Sequence, residues 1–380
     1  MKRIVRWIRQ EAMLTLSVLA AVIGLLITPP TKDLLRQIDW RTLGTLLMML
    51  CVLEGFKQEN VLAPVVRLAG KLHTMRTLTL FLVFGVFFSS MFVTNDVSLL
   101  IFVPPTILLF RNAGQERYIL PVLTFENIAA IRGSLLMPFG SPQNLFLYGQ
   151  AQVSFWRFLL HMLPLCVLSG LLLIGFIFFL YRKNPKESAA PEGMSEKTDE
   201  PSGFKRRMYL ALFTLILFVI VTRTGFWYIA LGIVLLTILL ADRRLFLKVD
   251  YVLLVTFLCF FVFSSSIAGN QSIAGFLRKT VAYHEYWWVI GLSQVISNVP
   301  ASIVLYPFTK NFAALIYGAD TAGLCSLIGS LASVINYRLY VREYPNNGRR
   351  FIKVFTLISW AFFLLVVIPG LLLSQWSFFG

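Results

Sequence analysis

The sequence predicts an all-α polytopic membrane protein built from two inverted-topology repeats, each with a re-entrant helical hairpin and a broken transmembrane helix. Three observations predict it. Of 380 residues 57% are hydrophobic and only 14% charged, against roughly 25% charged in a soluble chain. The apolar residues come in runs long enough for membrane helices, not in the short alternating segments of a β-barrel. A polar segment interrupts two such runs: Thr94-Asn95-Asp96-Val97-Ser98 leads to Pro104, and Ser297-Asn298-Val299-Pro300 leads to Pro307, each Asn nine residues before its Pro.

The first repeat is expected over 1–181. Its first span, 12–28, ends in Thr28-Pro29-Pro30 without a small-residue cleavage motif and reads as a retained helix. A second span follows at 42–56, and 57–76 carries Lys57, Arg67, Lys71 and Arg76 among apolar residues, the pattern of an interfacial amphipathic helix. The run 77–110 has two apolar arms of 14–17 residues and a polar tip without Lys or Arg, which favours a re-entrant hairpin over two full crossings. Residues 118–149 contain Pro138, Gly140 and Pro142, which cannot continue a helix, so a broken span is expected there. A span at 158–181 closes the repeat.

Residues 182–207 are polar, of mixed charge and rich in Pro, Ser and Glu, the composition of a cytoplasmic linker. A linking span at 208–222 follows, and the second repeat, 223–380, runs through spans 225–241 and 251–268, a polar stretch from Gly269 to Lys279, a hairpin 284–310, a broken span 312–341 and a last span 351–373. The halves align in three places: Ile38-Asp39-Trp40 with Val249-Asp250-Tyr251, Asn95 and Pro104 with Asn298 and Pro307, and Gly140 to Asn144 with Gly329 to Ser333, at offsets of 211, 203 and 189. The linking span makes the number of crossings between them odd and inverts the second repeat. On that topology 25 of the 34 Lys and Arg face the cytoplasm, including Lys2, Arg3, Arg6 and Arg9 of a cytoplasmic N-terminus, and eight face outside.

The charges cluster at the ends of apolar runs, so the net charge of +16 reads as a topology signal and not as a nucleic-acid surface. Cys51, Cys166, Cys259 and Cys325 lie in apolar runs without CxxC spacing and read as packing residues. His73, His161 and His284 are far apart and form no HExxH pattern, and none is near either tip segment, which argues against metal or His-based catalysis and against an enzyme.

Helix N-termini at a hairpin tip suit an anion, while carbonyls and Asn, Ser and Thr oxygens at the same breaks suit Na+. The candidate site therefore comprises Thr94, Asn95, Asp96, Arg132, Gly140, Ser141, Asn144, Ser297, Asn298, Gly329, Ser330 and Ser333, with Asn95, Asp96 and Asn298 as candidate Na+ ligands. Asp96 is either a cation ligand or proton carrier, or a helix cap. Glu126 lies in the first arm of the broken span, and Glu54 near the cytoplasmic end of its own. Arg132 needs an acid partner, Glu126 or Asp96, or else serves the site directly. No cofactor is expected beyond a coupling Na+ or H+.

In Phe92 to Val97, Gly133 to Asn144, Gly291 to Pro300 and Gly329 to Ala332 the chain resembles the ion transporter superfamily, which includes the ArsB and NhaD families, citrate–metal transporters and divalent-anion/sodium symporters, and within it the YbiR-type inner-membrane proteins. The resemblance covers nearly the whole chain. It implies a scaffold domain that forms a homodimer, a transport domain that moves as an elevator, and roles in binding Na+ and a substrate carboxylate for Thr94, Asn95, Ser297 and Asn298. Relatives tend to carry Asn where Arg132 and Ser333 stand, so Arg132 is expected to replace part of a coupling sodium's charge and to favour an anion. The expectation is a secondary active transporter of a small carboxylate or oxyanion in the inner membrane. It is coupled to H+ or Na+, by symport or antiport. The alternatives are an NhaD-type Na+/H+ antiporter and an ArsB-type arsenite permease.

Overall fold

The computed structural model describes residues 12–28, 38–69, 72–184 and 203–376. Most of the expected linker and the basic run Lys2 to Arg9 lie outside these residues. Every regular element described is a helix. The first half holds α1 (Ala12–Ile27), α2 (Trp40–Gln58), α3 (Ala63–Ala69), α4 (Met75–Val93), α5 (Asn95–Asn112), α6 (Ile119–Ser134), α7 (Pro142–Ala151) and α8 (Phe155–Leu180). Then come α9 (Gly203–Thr222), α10 (Trp227–Asp242), α11 (Tyr251–Gly269), α12 (Gln271–Val281), α13 (Glu285–Ile296), α14 (Asn298–Leu305), α15 (Phe312–Ala322), α16 (Leu331–Glu343) and α17 (Gly348–Ser374).

Length and apolarity suit α4, α8, α11 and α17 for crossing a membrane. On α17 Leu357, Leu364, Leu365, Ile368 and Leu372 are exposed, while Phe355, Phe362 and Val366 are buried. One stripe thus packs inward and the other meets hydrocarbon, the arrangement of a helix at a lipid boundary.

Corresponding elements share their local geometry. Asp39 caps α2 with φ −79° and ψ 80°, its carboxylate accepting from Thr42 N–H; Asp250 caps α11 with φ −78° and ψ 82°, accepting from Leu253 N–H. The packing is reciprocal as well. The first arm of each hairpin lies on the first half of its own broken helix, α4 on α6 and α13 on α15. The second arm lies on the second half of the other broken helix, α5 on α16 and α14 on α7. Each broken helix therefore depends on both halves of the chain for its walls.

Two expectations need correction, and one stretch left without a structure takes one. Between 57 and 76 the helix is short: α2 runs on to Gln58, a turn through Asn60 at φ 47° intervenes, and α3 has seven residues. The polar stretch 269–279 is a helix, α12, capped by the Asn270 side chain on Ile273 N–H, with Ala274 and Val281 buried on one face. The hairpin arms are unequal. Those of the first have 19 and 18 residues and those of the second 12 and 8. At 1.5 Å per residue the longer arms reach about 28 Å, close to the ~30 Å of a hydrocarbon core. Arm length therefore does not distinguish hairpin from crossing in the first half, and what the tip touches carries that argument.

Candidate functional site

Each hairpin turns on one residue. Thr94 ends α4 and begins α5 at φ 70° and ψ 157°; Ser297 ends α13 and begins α14 at φ 67° and ψ 162°. This region of backbone space is nearly exclusive to glycine and costs about 1–3 kcal/mol for other residues. A reversal within one residue leaves the following turn's N–H groups pointing outward, and neither tip residue caps them with its side chain. Beyond each tip, the Asn is tied to the broken helix of its own half. Asn95 N–H donates to the Gly140 carbonyl at 3.3 Å, and Asn95 Oδ1 accepts from Asp96 N–H at 2.9 Å. Asn298 Nδ2 donates to the Ala319 carbonyl at 3.2 Å.

The breaks fall at 135–141 and 323–330. Ser141 and Ser330 begin the second half-helices in the same extended conformation, at φ −149° and −148°. A Cβ on Gly140 would strike the Ser134 carbonyl, and one on Gly329 the Ala322 carbonyl, so both loops fold back too closely for a side chain. Ten residues after the carbonyl it holds, a side chain closes each loop. Asn144 Nδ2 donates to Ser134 O at 3.1 Å and Leu135 O at 3.4 Å, and Ser333 Oγ donates to Gly323 O at 3.4 Å. In the second break Gln294 adds a brace, donating to the Ala322 carbonyl at 3.2 Å and accepting from Ser326 Oγ at 2.6 Å.

Both tips, the second break and the start of α7 open on one cavity of about 690 Å3, whose polar wall includes Asn95, Asp96, Gln143, Asp250, Ser297, Asn298, Ser330 and Arg338. The helices α5, α7, α14 and α16 all start at this wall, so four helix N-termini converge on it and supply partial positive charge. Arg338 is the one Lys or Arg among its lining residues. The three candidate Na+ ligands Asn95, Asp96 and Asn298 also line it, and Asp96 Oδ1 is buried without a hydrogen bond. Thr94, Gly140, Ser141, Asn144, Gly329 and Ser333 stand behind the wall, shaping tips and breaks. Among the described residues no group of three or more His, Cys, Asp or Glu gathers as metal ligands do.

Arg132 lies elsewhere. It is fully buried, pairs through Nη1 with Asp320 and donates from Nη2 to Thr321 Oγ1 at 3.3 Å. The partners expected from sequence, Glu126 and Asp96, are not the ones it takes: Glu126 accepts from Thr106 Oγ1 at 2.5 Å, and Asp96 is at the cavity. The ion pair joins the C-terminal end of α6 to that of α15, one broken helix to the other. Its positive charge is already compensated and does not line the cavity. Asp320 had a visible signal, a lone acid inside the apolar run 312–322, but its partner is 188 residues away. Nothing in the sequence singles out Arg338 among the five Lys and Arg of 338–353, and the packing of α16 brings it to the cavity wall.

The sequence profile of the citrate transporter family matches residues 4–329. The chain is 31% identical over 349 residues to inner membrane protein YbiR of Escherichia coli, covering 88% of this chain and 89% of that protein. It is 28% identical over 330 residues to an uncharacterized transporter of Methanocaldococcus jannaschii, covering 86% of this chain and 87% of that one.

Proposed function

The chain belongs to the citrate transporter family, and on that footing we propose that it is a secondary active transporter of a small anion, a carboxylate or oxyanion, across the inner membrane. The observation that carries the reading is the convergence of four helix N-termini and Arg338 on one cavity. Oriented backbone N–H groups hold an anion without spending a full positive charge at membrane depth, and one Arg adds a planar, bidentate partner for a carboxylate. Thr94, Asn95, Ser297 and Asn298 form the tips of the site, Ser330 and Gln143 its floor, and Gly140, Ser141, Asn144, Gly329 and Ser333 hold the breaks open.

In this reading the halves are inverted repeats and both hairpins are re-entrant. The matched tip, break and cap geometries support the repeat, and the contact of each tip with its broken helix supports a hairpin that stops at mid-depth. The cavity wall includes Met13, Asp250 and Arg338, which the charge pattern assigns to the cytoplasmic side, so this conformation is open inward. Movement of the hairpins and broken helices as one body against a dimerising scaffold built on α2, α9 and α10 would open the site to the other side.

Purified protein in proteoliposomes should exchange citrate, a dicarboxylate or an oxyanion, driven by a Na+ or H+ gradient. Arg338→Gln should raise KM at least ~10-fold through loss of a charge-assisted bond. A second reading has a specific observation behind it: the unpaired Asp96 Oδ1 at the cavity suits Na+/H+ exchange. Failure of every anion to exchange, together with Na+- or Li+-driven proton movement abolished by Asp96→Asn, would replace the first reading by the second.

A further inference from the structure

We propose a cation site away from the cavity, at the junction of α5, α6 and α16, where Glu126, Asn127 and Asn336 take a monovalent cation of the size of Na+. The proposal rests on the transporter reading, for which it names the seat of the coupling ion. Glu126 and both asparagines have no exposed surface. Glu126 Oε1 accepts from Thr106 Oγ1, Oε2 has no partner, and among the described residues no Lys, Arg or His forms an ion pair with this carboxylate. Asn127 Oδ1 and Asn336 Oδ1 have no hydrogen-bond partner either.

The amide orientations follow from their neighbours. Asn336 lies 2.6 Å from the Leu123 carbonyl, an acceptor, so its nitrogen faces that way and its oxygen faces the other. Asn127 lies 3.1 Å from Ser333 Oγ, whose proton goes to the Gly323 carbonyl, so Asn127 presents its nitrogen to the hydroxyl and turns its oxygen away. Residues 123 and 127 share one face of α6, and 333 and 336 one face of α16, so these bonds place both amides between the two helices, about one helical turn apart.

Three buried oxygens of one small region therefore lack donors, and acceptors cannot satisfy one another. In addition, Pro104 and Pro105 remove the helical donors of the Leu100 and Ile101 carbonyls, within about one turn of Thr106. An isolated carboxylate at membrane depth is costly. A hard cation removes that cost, because carboxylate, hydroxyl and amide oxygens are its natural ligands and the site becomes neutral. The bound ion would bridge the first half of one broken helix to the second half of the other, and so tie cavity geometry to ion occupancy.

The test is a melting-temperature titration of the full chain in detergent, with NaCl replacing choline chloride from ~1 to ~200 mM at constant total salt, since a ligand of the folded state stabilises it by mass action. The wild type should rise by several degrees, Glu126→Gln should lose the rise, and Asn336→Ala should need at least ~10-fold more Na+ for half the effect. Should Glu126→Gln not fold, the Asn336→Ala titration alone decides. A rise that survives both substitutions but vanishes in Asp96→Asn would put sodium at the first tip and overturn the proposal. So would a wild type indifferent to NaCl whose stability shifts with pH through Glu126, which would make that carboxyl a proton site. In either case an anion-induced rise in melting temperature would leave the transporter reading standing; its absence would sink that reading separately.

Discussion

Asn144 and Ser333 stand at the same place in two helix breaks and hold them differently. The amide reaches two carbonyls, of Ser134 and Leu135; the hydroxyl reaches one, of Gly323, and does so at 3.4 Å. The second break recovers the deficit from another element, through Gln294 on α13. The same division runs through both halves. Backbone conformation matches at the caps, tips and breaks, while several of the buried polar groups around it differ. The first half carries Asp96, Glu126 and Arg132, and the second carries Asp320 and Arg338. Unequal chemistry on a matched backbone suits the proposed coupling, since two identical half-sites could not tell an ion from its substrate.

The largest test concerns the one buried ion pair that joins the halves among the described residues. Asp320→Asn leaves Arg132 buried and uncompensated, and should cost about 3–5 kcal/mol. The double replacement Arg132→Met with Asp320→Leu should recover most of that loss, because two apolar groups need no partner. Thermal unfolding in detergent reads the cycle. If the double variant regains stability and transport, the pair is structural; stability without transport would give Arg132 a part in the substrate cycle. The next effect should be equal in both halves. Gly140→Ala and Gly329→Ala each force a Cβ onto a main-chain carbonyl that cannot swing aside, for about 1–3 kcal/mol or more. Size-exclusion profiles and melting temperatures that differ strongly between the two would break the equivalence of the breaks.

The third effect should be unequal. Asn144→Ala strips two buried carbonyls of their donor and should cost about 1–3 kcal/mol, whereas Ser333→Ala strips one carbonyl of a long bond, for about 0.5–1.5 kcal/mol at the break itself, and also leaves the buried Asn127 Nδ2 without its acceptor. Combining Ser333→Ala with Gln294→Ala should bring the second break to the level of the first. Additive melting-temperature losses would show that the two braces act independently.

Elements with a one-dimensional signature were legible in the sequence. Pro138, Gly140 and Pro142, three helix-breaking residues within five positions, cannot together continue a helix, so a break had to fall there, and Thr94-Asn95-Asp96 and Ser297-Asn298 were polar where an apolar run should continue. Their common order along the two halves tied these features into pairs. Relationships that depend on packing were not legible. Arg132 could have met any acid at depth, and only the apposition of α6 and α15 selects Asp320. Asn127 and Asn336 are ordinary residues in the sequence until α16 lies against α6. The helix at 271–281 is short and amphipathic, with Ile273, Ala274, Phe276, Leu277 and Val281 among polar residues, so it carries no apolar run of span length.

The smallest expected effect goes against the usual sign. Thr94 and Ser297 occupy backbone conformations that glycine adopts freely, so Thr94→Gly and Ser297→Gly relieve about 1–3 kcal/mol of strain each. Against this, glycine gives the unfolded chain more freedom, worth about 0.5–1 kcal/mol. The balance is a net gain of up to about 2 kcal/mol, larger at Thr94, whose β-branched side chain tolerates positive φ least. Transport should fall in both variants, because a glycine tip no longer fixes the first-turn N–H groups of α5 and α14 in the direction of the cavity. A melting temperature that rises while transport drops would identify the strain as serving the site. A drop in stability at Thr94 alone would mean that its side chain makes contacts the Ser297 hydroxyl does not need, and the symmetry of the tips would end at the backbone.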